Sequence, residues 1–179
     1  MLMVEQRDRL LLTPVKGCPV RIGVWLAAIQ DARRRTLEVL ENIDPLWLSF
    51  IPPEGGESIG TILYHLAAIE ADWLYAEVLQ ESFPLDVEKL LPYDVRDGES
   101  NLTVVFDTLD NHLERLKIIR EKLLNSYLGM TVDEFERPHA LPQYDVSPAW
   151  VLHHLMQHEA EHRSQINAIG MQAKVAFGG

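Results

Sequence analysis

The chain has 179 residues, 47% hydrophobic and 24% charged, which suits one folded domain around a single core and excludes a disordered polypeptide. Its 27 acidic against 16 basic residues give a formal net charge of -11, and the one basic cluster, Arg33, Arg34 and Arg35, points in successive directions about 100° apart on a helix, so nucleic-acid binding is not expected. The single cysteine, Cys18, cannot close an internal disulfide, and no run approaches the roughly 18 apolar residues of a membrane span, so a reducing, cytoplasmic setting away from membranes is expected.

Residues 1–19 hold Pro14, Gly17 and Pro19 and only a short apolar run, Leu10 to Leu12, so they read as an irregular leader rather than a secretory signal. The first helical pattern runs from about Val20 to Ile43, with Ile22, Leu26, Ile29, Leu40 and Ile43 on one face and Arg33 interrupting it. Pro52, Pro53, Gly55 and Gly56 then stop any helix. Ser58 predicts an N-cap for a second helix reaching about Leu79, where Ile59, Ile62, Leu66, Ile69 and Trp73 trace an apolar stripe with His65 beside it. From about Gln80 to Ser100, Pro84, Pro92 and Gly98 break any period, and the segment reads as a long crossover with at most a short helical turn. A third helix is predicted from about Leu102 to Leu128, with Val105, Leu109, Leu116, Ile119 and Leu123 on its face, His112 on the same stripe, and Gly129 at its end. Pro138 and Pro142 break the next stretch. Ser147 as N-cap and Pro148 at the first helical position open a final helix to about Gly170. Four amphipathic stripes bury one another in an all-α four-helix bundle over residues 20–172, with a long crossover between helices 2 and 3 and residues 173–179 as a tail.

Four of the seven histidines fall between residues 153 and 162. On a helix His158 and His162 differ by about 40° in direction and about 6 Å in rise, so both rings can aim at one point, and they continue the stripe of Val151 and Leu155 toward Ile166 and Ile169. Imidazole nitrogen is a favoured ligand of divalent transition metals, and a bundle interior lets facing helices share an ion. A lone histidine on such a face is usually a core residue held by hydrogen bonds; a pair four apart with a third histidine on another interior face points to a metal site. The third ligand could come from His65 or His112, and less readily from His139 in its proline-rich loop; His154 is a reserve ligand, and His153 points away toward solvent.

His158 to His162 also spells H-E-x-x-H, in which two histidines bind zinc and the glutamate is a general base. After His162 there is no further His, Asp, Glu or Cys, so the downstream ligand of an ordinary metalloprotease is missing and the third ligand must lie upstream. Glu159 stands as a weak catalytic base, equally readable as an outer-shell or surface carboxylate. Asp72 shares the face of His65 and allows an outer-shell role, although Asp72 and Glu70 are more often solvated or paired. Cys18 reads as a bystander thiol, and Trp25, Trp47, Trp73 and Trp150 as packing residues of the core or of a dimer face rather than a ligand box.

The helix SIGTILYHLAAIEADWL together with the terminal helix WVLHHLMQHEAEHRSQI resembles the DinB-like superfamily of metal-binding four-helix bundles, over about Val20 to Gly170. The resemblance implies a metal held by one histidine of the second helix and two, four apart, of the last, which here are His65, His158 and His162. Ser164 stands where the family's final motif, H-R-G-Q, often has glycine. It further implies a bacterial cytoplasmic protein, often a homodimer, acting on a small molecule, with some relatives using low-molecular-weight thiols such as mycothiol or bacillithiol. Three neutral histidines leave a dipositive ion an open position, at which a thiol loses its proton and a water approaches a pKa of about 7. The expected function is therefore a metal-dependent transferase joining a low-molecular-weight thiol to a small electrophile; the alternatives are a metal-dependent hydrolase and a non-catalytic metal-binding stress-response bundle. Zinc or nickel is the expected metal, with iron next.

Overall fold

The structure, a computed structural model, describes residues 10–178. The first nine residues of the predicted leader, and Gly179, lie outside them. Six helices follow in order: α1 (Val20–Leu40), α2 (Ile59–Asp72), α3 (Leu85–Leu90), α4 (Leu109–Leu128), α5 (Val132–Glu136) and α6 (Pro148–Ala176). A 3₁₀ turn, Pro45–Trp47, follows α1, and α2 runs on without a break into a π-helical stretch, Trp73–Leu79. A two-stranded antiparallel pair, β1 (His139–Ala140) and β2 (Asp145–Val146), precedes α6. The fold is all-α, with α1, α2, α4 and α6 as the bundle and a long crossover between α2 and α4 that contains α3. α6 packs on α1 and α2, and α2 packs also on α4. Among the described residues no helix is long and apolar enough to cross a membrane.

The predicted caps are present: the Ser58 hydroxyl accepts from Thr61 N at 3.1 Å and that of Ser147 from Trp150 N at 3.2 Å, and Pro148 occupies the first turn of α6. Three boundaries differ from the sequence reading. α1 stops at Leu40, short of Ile43. α4 begins at Leu109, capped by Thr108, whose hydroxyl accepts from Asn111 N; Leu102 and Val105 are buried as irregular chain, not as a helical face. α6 continues past Gly170 to Ala176, through what reads in sequence as a tail, and Gly170 lies so close to Ile43 that a Cβ there would meet its Cδ1 at 2.7 Å. The residues just before α1 are tied to it: Val15 N donates to Gly23 O at 3.0 Å, and Cys18 lies half-buried against the core instead of standing clear of the bundle.

The core contains four charges. Arg33 on α1, Glu70 on α2, Arg120 on α4 and Glu159 on α6 are each at most 7% exposed. Arg33 donates from Nε to Glu159 Oε1 at 2.7 Å and from Nη2 to Glu70 Oε2 at 2.8 Å. Arg120 donates from Nε to Glu70 Oε1 at 2.7 Å and from Nη2 to Glu70 Oε2 and Glu159 Oε2, both at 2.8 Å. The third guanidinium nitrogen of each donates to backbone, Arg33 Nη1 to Leu116 O and Arg120 Nη1 to Ile29 O. Two cations and two anions thus neutralise one another across all four bundle helices, which is the condition for charges to persist away from water.

Candidate metal centre

His65 enters the site from the middle of α2, and His158 and His162 from successive turns of α6. Their Nε2 atoms converge: His65 lies 3.0 Å from His158, and His158 3.1 Å from His162. One donor atom from each of the three falls within 4.8 Å of the other two. Imidazoles at about 2.0–2.1 Å from a tetrahedral ion would stand about 3.4 Å apart, so small ring movements bring these atoms to bonding distance. His65 is buried and the other two are half-buried.

The protonation states fit a ligand set. Burial is the main cause holding all three rings below the ordinary histidine value, and for His65 and His158 repulsion from the neighbouring histidines adds to it; His65 falls to about 4 and His158 to about 3. The rings are therefore neutral at neutral pH, with lone pairs to offer. His162 is oriented by Gln165 one turn on: Nδ1–H donates to Gln165 Oε1 at 2.8 Å, which leaves Nε2 as the bare acceptor facing the other rings. His65 Nδ1 is buried with no partner.

The other histidines stand elsewhere. His112, the main competitor for the third position, is fully buried on α4 but faces Gly60, where an added Cβ would lie 3.3 Å from its Nε2; it is not one of the converging three. His139 donates from Nδ1 to Glu77 O. His154 is stacked on Trp150 at 5.2 Å and against Trp73 at 4.4 Å, and its ring lies 6.0 Å from that of His158. His153 is exposed, as its position on the helix predicts. Trp73 and Trp150, read in sequence as packing residues, line with Tyr144 a cavity of about 430 Å³, so they pack one another and border open space as well. Trp25 and Trp47 pack against the core.

Glu159 is neither a surface carboxylate nor a base beside the three rings. Both its oxygens accept from guanidinium groups, and although burial pushes its pKa up, Arg33 and Arg120 outweigh that and hold it below the usual glutamate value. A carboxylate so satisfied has neither a spare lone pair aimed at the site nor the proton affinity of a general base. Glu70, the other acid near the motif, is the second anion of the same network, and Asp72 is exposed. Arg33 and Arg120 are the residues that sequence reading missed. The signal was present, since Arg33, Glu70, Arg120 and Glu159 each follow by four a buried aliphatic residue, Ile29, Leu66, Leu116 and Leu155.

Comparison with known proteins agrees with the fold. A family profile described as the DinB superfamily matches residues 28–166. A crystal structure of a conserved protein from Enterococcus faecalis superposes with a TM-score of 0.67 at 14% identity, covering 83% of this chain and 94% of that one, a likeness of fold alone. No curated protein matches the chain.

Proposed function

The chain belongs to the DinB superfamily, and from that premise we propose that it holds one divalent transition-metal ion through His65, His158 and His162 and uses it to transfer a low-molecular-weight thiol to a small electrophilic substrate. The observation that carries the reading is the convergence of three neutral imidazole Nε2 atoms from two helices. When bound, such an ion supplies Lewis acidity that lowers the pKa of a thiol at an open position. The protein's own part is to keep the rings neutral by burial, to fix the tautomer of His162 through Gln165, and to set the site one ring from the cavity of Trp73, Trp150 and Tyr144, where a small apolar electrophile fits. Glu159, on which the hydrolase alternative relied, is committed to Arg33 and Arg120. Zinc or nickel suits three imidazoles.

The test is metal analysis of protein purified without a histidine tag, wild type beside His65→Ala, followed by thiol consumption with a reactive electrophile with and without chelator. The expected result is about one ion per chain in the wild type, lost in the variant, and consumption that chelation abolishes. A wild type without metal overturns the site; metal without turnover across several thiols overturns the reaction. Light scattering checks the homodimer that belongs to the same reading.

A further inference from the structure

Three elements build the aromatic cavity: Trp73 opens the π-helical stretch that prolongs α2, Tyr144 and Asp145 come from the β1–β2 hairpin, and Trp150 from the first turn of α6. π-helical turns recur at functional sites. The hairpin is clamped to this one at Glu77, whose carbonyl accepts from His139 Nδ1 at 2.8 Å and whose carboxylate accepts from the Tyr144 hydroxyl at 2.6 Å; Leu141 N closes the turn on Tyr144 O at 2.9 Å. His154 backs the two indoles, its ring 4.4 Å from that of Trp73 and nearly parallel to that of Trp150 at 5.2 Å. The walls are thus held in place, yet Tyr144 and Trp150 stay 45% and 48% exposed. Two large rings left open on one cavity are more than core packing and mark a surface shaped for a ligand.

Charge decides which ligand. The face of an aromatic ring attracts a cation, and tryptophan does so most strongly. Asp145 lines the same cavity as the three rings. The Tyr144 hydroxyl donates to an anion, which makes its ring richer in electrons, and the second oxygen of that anion, Glu77 Oε2, is buried with no partner. Among the described residues no lysine or arginine lines the cavity, and none pairs with Asp145 or Glu77, so the chain's own cations do not fill it. An anion is repelled by such walls. An alkylated ammonium group spreads its charge over methyl groups, has little hydration to lose, and offers the indoles an apolar surface as well as a positive one. About 430 Å³ admits such a group on a small molecule.

We propose that the cavity of Trp73, Tyr144 and Trp150, with Asp145 at its wall, binds an alkylated ammonium group carried by a small molecule. This deepens the function proposed above by naming the class of its small substrate, and it rests on that reading only for the link between the cavity and the ion. The three rings and Asp145 are specificity residues: they select and hold the cation and take no part in bond making.

The test is binding of choline against its neutral isostere 3,3-dimethylbutan-1-ol, followed by calorimetry and by tryptophan emission, on the full chain with and without zinc. In the wild type choline is expected to bind about tenfold more tightly than the isostere, as stacking of a cation on indole requires. Trp150→Leu, which keeps an apolar wall and loses the π face, should bring that preference to within about twofold at unchanged zinc content, and Trp150→Phe should restore part of it. Trp150 is half exposed, so its loss spares the core; Asp145→Asn, which changes charge alone, should shrink the preference independently. Choline and isostere bound alike, neither bound up to about 20 mM, or a preference that survives both Trp150→Leu and Asp145→Asn each overturns the ammonium site. The preference in a chain that takes up no zinc supports the cavity and overturns the metal reading alone; zinc uptake without the preference does the reverse.

Discussion

Replacing Glu159 by glutamine separates a structural anion from a catalytic base. In the wild type its two oxygens accept from Arg33 Nε at 2.7 Å and Arg120 Nη2 at 2.8 Å. An amide of the same shape keeps one acceptor, turns the other into an N–H facing a guanidinium N–H, and removes one of the two negative charges that balance Arg33 and Arg120. Each charge-assisted bond contributes about 1.5–3 kcal/mol, and removing one partner of a buried pair costs about 3–5 kcal/mol because the opposite charge is left uncompensated. For a chain of this size that corresponds to a melting temperature about 6–20 °C lower. Urea unfolding at pH 7, followed by circular dichroism, should show a lower midpoint at an unchanged m-value, with metal content retained well below the transition. The sign of the pH dependence follows from the depressed pKa of the folded carboxyl. The unfolded chain takes up the proton first as pH falls, so the Glu159 contribution is full above the ordinary glutamate range and is lost as pH drops through the lower folded value. The gap between wild type and Glu159→Gln should therefore close in acid. A variant within about 1 kcal/mol of wild type that had lost a metal-dependent turnover would refute the reasoning and return Glu159 to the role of base.

Gln165→Leu removes the acceptor that holds the His162 tautomer and should weaken metal binding about 10- to 100-fold in competition with a chromophoric chelator, with little change in stability. Gly23→Ala should destabilise although alanine is worth about 1 kcal/mol more than glycine inside a helix, because its Cβ would stand 2.6 Å from Val15 O; the expected net loss is about 1–3 kcal/mol in thermal unfolding, and a gain would show that residues 14–15 do not pack there. His112 is held neutral by burial, with Arg115 adding to it, at a pKa of about 4. The unfolded state therefore binds its proton first, and up to roughly 3 kcal/mol of stability should drain away as pH falls from about 6.5 through 4. His112→Leu should flatten that part of the metal-free protein's stability profile, and an unchanged profile would place the proton uptake elsewhere.

The parts of the fold that sequence made legible are those set by local chemistry. Ser58 and Ser147 cap the helices they precede because a hydroxyl there reaches a free N–H, whatever the rest of the chain does. The stripes of α2 and α6 are read from spacing alone. What misled the reading was burial without helix: Leu102 and Val105 carry the helical period backward past Thr108, yet they are buried because the hairpin of the crossover folds over the bundle. Gly170 looked like an end and is a point of close approach to Ile43. At the site, the pair on α6 was visible as a four-residue spacing, whereas the choice between His65 and His112 was not, since both lie on interior stripes and only the rotation of α2 and α4 against α6 separates them. The charge network was hard to assemble for a related reason, although each of its members falls on an interior stripe. Arg33 taken on its own helix is an interruption; its meaning lies in Glu70 and Glu159, 37 and 126 residues away.

The network and the histidines are two faces of one arrangement. His158 and Glu159 are consecutive, so on α6 they diverge by about 100°, and a helix that points one toward Arg33 and Arg120 has no freedom left over where it points the other. The same holds on α2, where Glu70 is fixed by both guanidinium groups and His65 lies five residues before it. The two helices that carry the histidines are the two that carry the carboxylates, and the cations come from α1 and α4, which contribute nothing to the three rings. Apolar packing tolerates small rotations of a helix, because one methyl can replace another against the core. Five ion-pair hydrogen bonds of 2.7–2.8 Å do not. Charges are a costly way to stabilise a core, and their presence here is explained by register: they set the rotation of α2 and α6 so that the three Nε2 atoms face one another.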